Sequence, residues 1–460
     1  MLPTVTADFL ALVRDVIDPA VEECERNPPR LGADGEIEFH PAYERAGRAV
    51  WAAGIVGAPA REQAALFYEL AQAGEGGHAC PVVCTAGLVR ALRSVASDEL
   101  RERFLPPLLE TDYDRAHRGA QFLTERHGGS DVGANRVEAV PDDGVWRLYG
   151  EKWFCSVADA DQFLVTARPR GAPEGTRGIG CFLVPRAGGG FRIRRLKDKL
   201  GTRALATGEI EFEGAEAYPL GPLEEGFKTA VSVLNTSRWL NAVGSAALMR
   251  RAFDVAWEFA QERQAFGQPI IEFPLVRENL AVMKTESDAA LASTAELTEL
   301  VALIDDRSAT EEDVLWHRIL VNASKVVTSL AATKVVRRGI EILGGNGTIE
   351  DFSPLPRLWR DAIVFESWEG THNVLCAQVL RDFARYDGVE LAVERAGGSQ
   401  ELAARIRRSV AEPKYGALHF RRQLDELVRS LQARVLAESH PASAGLIERR
   451  HVDRGWDPER

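Results

Sequence analysis

In the stretch FESWEGTHNVL, residues 365–375, Glu366 and Glu369 stand three positions apart, the second between Trp368 and a Gly-Thr turn. A carboxylate set against apolar neighbours has its charged form disfavoured, so its pKa rises toward neutrality and it becomes a usable proton acceptor. On the wet side of a loop the same side chain does nothing, and this stretch alone leaves both readings open.

Three other stretches carry residues that could meet a ligand. In FLTERHGGSDVGANRVEA, Gly128 and Gly129 precede Ser130 and Asp131, a pattern that lets main-chain amides approach an anion and that also makes an ordinary surface turn. In YGEKWFCSV an aromatic, Trp153, is followed by the small polar side chains Cys155 and Ser156, although a core strand with Trp153 packed inward reads the same way. ERQAFGQPI and GIEILGGNG each close a long helical pattern at glycines, as helix ends commonly do. HACPVVC holds one His and two Cys without a second pair, so a buried helix face is expected there and no metal.

The elements that must position these residues fall into blocks. Apolar residues three and four apart in FLALVRDVI, AALFYELAQA and LVRALRSVA predict an all-α domain over 1–118. Short runs rich in Val, Phe, Tyr and Trp (VEAV, WRLYG, QFLVTAR, IGCFLVP, FRIRRL, EIEFE), separated by PDDG and AGGG, predict a small β domain over 119–217. The helical period returns over 218–386 and predicts a bundle of long antiparallel helices. Residues 387–460 read as a helical tail of shorter pieces, broken by GGSQ, EPKYG and HPASAG. Helices, then strands, then helices make an α+β order and argue against a nicotinamide dinucleotide fold; GEGGHA neither follows a strand nor resembles a phosphate loop.

Composition narrows the class. With 45% hydrophobic and 27% charged residues and no run of eighteen apolar ones, no membrane span is expected, and the N-terminal stretch reads as helix and not as a targeting leader. Six scattered cysteines suit reduced thiols and a cytoplasmic location. A net charge of -12 disfavours a broad nucleic-acid surface while leaving room for a local patch. The tail after Tyr386 has thirteen basic and twelve acidic residues, so RIRR, FRRQ and ERRH are expected on solvated helix faces.

Taken together and in order, the motifs resemble the acyl-CoA dehydrogenase flavoprotein family over roughly residues 20–386. TERHGGSD (Thr124 to Asp131) matches the family's TEPGAGSD loop, WFC (Trp153 to Cys155) its WIT strand, and Arg263, Phe266 and Gly267 its Arg-x-x-Phe-Gly pattern. Gly344 to Gly347 match its Gly-Gly-Asn-Gly turn, and Glu369 to Thr371 its carboxylate-Gly-Thr pattern. EFHPAYE, CPVVCT, ETDYDRAH, EKWFCSV, RLKDKLGTR and SWEGTHN make the AidB-like (adaptive alkylation response) branch the most similar.

This resemblance implies an N-terminal helical domain, a middle β domain and a C-terminal four-helix bundle, here with an extra tail. It implies FAD and the α,β-dehydrogenation of an acyl thioester: Glu369 takes the α proton and the flavin accepts the β hydride. Phe122, Leu123, Thr124, Gly129 and Ser130 would line the flavin and its phosphates, with Ser130 also near the thioester. Trp153 would pack on the isoalloxazine, and Cys155 or Ser156 would hydrogen-bond to it, a thiol being the weaker donor. Arg263, Phe266, Glu341, Gly344 and Gly345 would hold the adenine and pyrophosphate end in a neighbouring subunit, with Trp368, Thr371 and Asn373 completing the contact. Arg238 would seat acyl-CoA. The implied partners are an acyl-CoA or related thioester, an electron-transfer flavoprotein, and further copies of the chain, by family habit a tetramer.

Departures from the pattern fall on the ligand side. Glu341 stands where many members have Gln, Leu234-Asn235 replaces a Phe-Asp pair that helps seat CoA, and a Gly-rich loop is missing between GIVGAPA and REQAALF. Two other readings share the scaffold: an AidB-like flavoprotein with little turnover, acting in acyl-CoA binding or DNA protection, and an oxygen-using enzyme acting on a nitro or amine substrate.

Overall fold

The computed structural model describes residues 2–452, so 453–460 of the expected tail lie outside the described residues. The chain divides into two compact units. Among the described residues, a sheet unit holds Val5–Ala58 and Ala73–Ser237, and a bundle unit holds residues 2–4, Pro59–Gln72 and 238–452.

The sheet unit opens with helices α1 (Ala7–Leu12), α2 (Asp18–Arg26) and α3 (Pro41–Ala52), and a short antiparallel pair of two-residue strands, β1 (Arg30–Leu31) and β2 (Ile37–Glu38), that the periodicity does not announce. After α4 (Ala60–Ala71), which belongs to the bundle unit, come α5 (Ala79–Val95) and α6 (Asp98–Leu108). GEGGHA is a packing turn. Buried Glu75 accepts hydrogen bonds from the Gly77 amide at 2.9 Å and the Cys80 amide at 3.2 Å, supplying acceptors to α5 where its first amides lack them. Cys80 and Cys84 then sit one turn apart on a buried face, as expected, with their sulfurs at 3.7 Å.

The strands are β3 (Gly119–Phe122), β4 (Glu138–Asp142), β5 (Val145–Ser156), β6 (Gln162–Pro169), β7 (Gly180–Pro185), β8 (Phe191–Leu196) and β9 (Thr207–Pro219). They pair in the order β3-β6-β4-β5-β9-β7, with β8 on β9, and β7 pairs back onto β6. The path therefore returns on itself, which leaves few open edges. QFLVTA of β6 is buried throughout because three strands flank it and residues of α5 and α6, such as Leu88, Leu92 and Phe104, pack with Leu164 and Leu183 in one core. In β5 the register shifts between Lys152 and Cys155, so its side chains do not alternate strictly across that stretch.

In the bundle unit α7 (Gly226–Glu262, from Arg238 onward) is followed by a short hairpin, β10 (Gln264–Ala265) and β11 (Gln268–Pro269), then α8 (Pro274–Asp305) and α9 (Glu311–Leu343). Thr310 and Asp313 form a reciprocal capping box at the start of α9. Residues 311–348 are long and apolar enough to cross a membrane by length and composition, but 83% of that apolar window is buried inside the protein, as a core helix requires. Helices α10 (Leu355–Ser367) and α11 (His372–Tyr386) complete the bundle.

The tail differs from its expected short pieces. After α12 (Val389–Ala396) and α13 (Gln400–Ala411) comes a 27-residue helix, α14 (Pro413–Ser439), then α15 (Pro441–Ile447). EPKYG looks like a break, yet Pro413 occupies a first-turn position, where its missing N–H costs nothing. Gly416 is required by closeness, since a Cβ there would lie 2.4 Å from the Ser409 carbonyl oxygen. Phe420, Leu424, Leu427, Val428 and Leu431 form the buried stripe of α14, and Ala433 and Leu436 pack with Ala289 and Ala292 of α8.

Candidate active site

Glu369 lies in the turn between α10 and α11. Trp368 closes α10 by donating its main-chain N–H to the Val364 carbonyl, and its ring stacks on Phe365 with centroids 4.8 Å apart. The chain then reverses through two residues of positive φ, Glu369 at 57° and Gly370 at 103°. The second must be glycine, because a Cβ would also come within 2.9 Å of Leu375. A glutamate in the left-handed region is uncommon, and such conformations persist where surrounding contacts enforce them.

Those contacts are explicit. Arg238 of α7 donates through Nε to the Glu369 carbonyl oxygen at 3.0 Å and through a terminal nitrogen to Asn322 Oδ1 at 2.9 Å. Lys325 of α9 donates through Nζ to the carbonyl oxygens of Glu366 at 2.8 Å and Gly370 at 2.9 Å. Three carbonyls of one turn are thus held by two cations.

The half-buried Glu369 carboxyl is pushed above the usual carboxylate range by burial, against the opposing pull of Arg238 and Lys325. Burial also lowers Arg238 to about 10 and Lys325 to about 7, with the charge of Glu369 working the other way on both. His372 is lowered to about 4 by burial, with Lys325 and Arg421 adding to it. Glu366 is not on the wet side of a loop. Its carboxylate accepts from Thr333 and lies 3.9 Å from His372, whose Nε2 shares a hydrogen bond with Ser329 at 3.1 Å.

The sheet unit carries the second group of residues. Phe122 is buried on Phe163, with centroids 4.7 Å apart, and Leu123 is also buried. Thr124 is half-buried and accepts the Trp153 amide on its carbonyl at 2.9 Å, which fixes the loop beside β5, while Gly129 and Ser130 are exposed. The loop is pinned from inside: Lys152 Nζ donates to Glu125 Oε1 at 2.8 Å and to the Leu123 carbonyl at 3.0 Å, and Glu125 accepts the Val137 amide at 3.1 Å. Cys155 is fully buried and its thiol is raised by burial, whereas Ser156 is half-buried, its hydroxyl 3.1 Å from that of Thr207. Of these two side chains, Ser156 is the more accessible.

Among the remaining expected contacts, Arg263, Glu341, Gly344, Gly345, Thr371 and Asn373 are exposed. Phe266 caps the β10-β11 hairpin with its own φ at 50° and that of Gly267 at 86°, a two-residue turn with both centres left-handed. Its ring is 98% exposed. Lys325, Asn322, Arg126 and Lys197 escaped the sequence reading. A lone lysine inside the apolar run VNASKVVTSL was the signal for Lys325, since a lysine is seldom fully buried without partners. Arg126 and Lys197 lie over the Trp153 ring at 4.3 and 3.4 Å from its centroid. Nothing in their spacing marks them.

The sheet unit therefore offers exposed Gly129 and Ser130, a half-buried indole with two cations over it and an accessible hydroxyl, a donor set that fits an anionic flavin dinucleotide. The bundle unit, taken by itself, carries Glu369, a carboxylate of raised pKa on a strained turn. These define a flavoprotein oxidoreductase.

Comparison with known proteins makes the class specific. Residues 18–115 match the adaptive response protein AidB N-terminal domain, 120–215 the acyl-CoA dehydrogenase middle domain and 224–383 the acyl-CoA dehydrogenase C-terminal domain. AidB of Escherichia coli (strain K12) is 34% identical over 443 residues, covering 87% of this chain and 80% of that protein. The solved structure of the Bd2924 apo-form is 29% identical with a TM-score of 0.87, covering 94% of this chain and 91% of its own. Caenorhabditis elegans ACDH-11, solved in complex with C11-CoA, is 25% identical with a TM-score of 0.85, covering 96% and 85%. The chain belongs to the acyl-CoA dehydrogenase family, whose members are FAD-dependent oxidoreductases acting on a CH-CH group, and its N-terminal domain is of the AidB type.

Proposed function

We propose that this protein removes the α and β hydrogens of an acyl-CoA thioester, with Glu369 as the base. The observation that carries the reading is a partly buried carboxylate of raised pKa on a turn whose conformation is enforced by Arg238 and Lys325. An α proton next to a thioester is weakly acidic, so its acceptor must hold protons more tightly than a solvated glutamate does. Negative charge grows on the thioester oxygen as the proton leaves, and a fixed donor aimed at it lowers the barrier. The main-chain N–H of Glu369 has no acceptor among the described residues and suits that task.

FAD supplies the two-electron acceptor. Thr124, Gly129, Ser130, Trp153 and Ser156 would hold its ring and phosphates, and the exposed Arg263, Phe266, Glu341, Gly344, Gly345, Thr371 and Asn373 would meet its far end in a neighbouring copy. That arrangement supports a homo-oligomer, a tetramer by family habit, with an electron-transfer flavoprotein taking the electrons onward. C11-CoA on ACDH-11 supports an acyl-CoA ligand. Six buried free thiols support a cytoplasmic location.

Anaerobic titration of the yellow protein with undecanoyl-CoA tests this: the flavin bleaches, and Glu369→Gln keeps flavin without bleaching. Bleaching of Glu369→Gln at the native rate overturns the assignment of the base.

The AidB-type N-terminal domain favours a second reading, a flavoprotein of little turnover that binds acyl-CoA or protects DNA. Against a DNA role, Arg405, Arg407 and Arg408 of the tail pair with Glu426, Glu390 and Glu412 and are not left for phosphates. Phosphate contacts weaken steeply with salt. Duplex binding at 50 and at 200 mM salt decides, since absence of salt-sensitive association removes this reading.

A further inference from the structure

Lys325 of α9 is the least expected of the residues that hold the Glu369 turn. It is a fully buried lysine whose Nζ reaches two main-chain carbonyls on either side of Glu369. A peptide group is planar, so holding its oxygen fixes its whole plane. Arg238 holds the plane between Glu369 and Gly370, and Lys325 holds the plane between Gly370 and Thr371 and the one after Glu366. The backbone is thus anchored before Glu369, at the Glu366 carbonyl, and after it, at its own carbonyl and that of Gly370, which limits the directions in which the Glu369 side chain can leave it. Asn322, one turn before Lys325 on α9, accepts from Arg238 and donates to the Arg318 carbonyl at 2.9 Å, which orients the arginine.

We infer that Lys325, acting with Arg238, is a positioning residue for the reaction: it holds the turn that carries Glu369 and brings a positive charge to the backbone of that turn. This rests on the proposed role of Glu369 as the base.

The charged and titratable groups around the pair come from every neighbouring element: Arg238 of α7, Lys325 of α9, Glu366 of α10, His372 and Asp382 of α11, the second acting on Arg238, and Arg421 of α14 acting on His372. Glu366 and His372 lie 3.9 Å apart, Glu366 is bonded to Thr333 and His372 to Ser329, so their hydrogen bonds are committed to each other's surroundings and to α9. Arg238 and Lys325 are the cations that act on Glu369 itself, and each favours its ionised form. Removing the Lys325 charge must therefore raise the Glu369 pKa further, whereas a purely structural lysine would lower the rate equally at all pH values.

The test is the pH dependence of anaerobic flavin reduction by saturating undecanoyl-CoA in the FAD-loaded protein, for native protein, Lys325→Met, Lys325→Gln, Lys325→Arg and Glu369→Gln. Lys325→Gln keeps a donor without charge and carries the test if the methionine variant does not fold. The expected result is an acidic limb moved up by about one pH unit in the neutral variants, roughly a tenfold loss of rate below the limb and little change above it, with Lys325→Arg following the native profile. Neutral variants whose profile superimposes on the native one, or falls uniformly with pH, while Glu369→Gln is inactive, overturn the inference and leave the base intact. Native reduction by Glu369→Gln overturns the base and, with it, the inference.

Discussion

Lys152 and Glu125 meet at 2.8 Å inside the sheet unit, the lysine wholly buried and the glutamate nearly so. Burial lowers the Lys152 pKa, and the Glu125 charge opposes that. The pair ties the 124–131 loop to β5, so it holds Thr124 and Trp153 in register from beneath. Removing one partner strands a buried charge, at a cost of about 3–5 kcal/mol. Lys152→Met is expected to lose that much in urea unfolding and to release flavin, and Lys152→Met combined with Glu125→Gln to recover part of it.

Glu369 is destabilising where it is charged. Its folded pKa lies above the ordinary 4.5, so the folded state binds its proton more tightly than the unfolded state does. The wild type then loses stability as pH rises from below 4.5 through the raised folded value. Glu369→Gln loses none through this group. The Tm of the variant relative to wild type is expected to rise between pH 4 and pH 8 and to level off at the upper end.

Phe266 contributes little to its own fold, being 98% exposed at the hairpin tip. Phe266→Ala should change unfolding free energy by less than about 0.5 kcal/mol. The same variant should shift the protein toward smaller assemblies in light scattering and lower the flavin-to-protein ratio. An unchanged mass and flavin content would remove this residue from the subunit contact.

Glu286 of α8 fastens the tail. Burial alone would raise its pKa, but Arg429 of α14 at 2.7 Å and His451 at 2.8 Å more than offset this and hold it well below the usual range. The stabilisation is therefore full above the ordinary glutamate pKa and is lost as pH falls through the lower folded value. Glu286→Gln leaves Arg429 buried with less compensation and should cost about 3–5 kcal/mol at pH 7. Limited proteolysis should then cut the tail first in the variant, and the gap in stability should close in acid.

Much of the architecture was legible because it repeats with a period. The 3.6-residue spacing of the bundle helices and the short Val- and Phe-rich runs of β6 and β7 reflect burial on one face, or on all faces, of a regular element. EPKYG misled because proline and glycine mark breaks on average, while in α14 the first sits in a helix's first turn and the second beneath a neighbouring carbonyl. For the site, Glu369 was singled out only through the family resemblance in which its Gly-Thr context takes part. Lys325, 44 positions earlier, could not be attached to it, because no spacing rule joins a residue on one helix to a turn between two others.

What the sequence determined by itself was the set of elements and the kinds of group available, since periodicity, turn chemistry and residue type act over a few neighbours. Which carboxylate is held in a strained turn, which polar side chain after Trp153 is accessible and which lysine holds the Glu369 turn were decided only by packing. Helices α7, α9 and α10 bring Arg238, Lys325 and Glu369 within hydrogen-bonding distance of one backbone, and both the strain and the shifted proton affinity arise from that convergence.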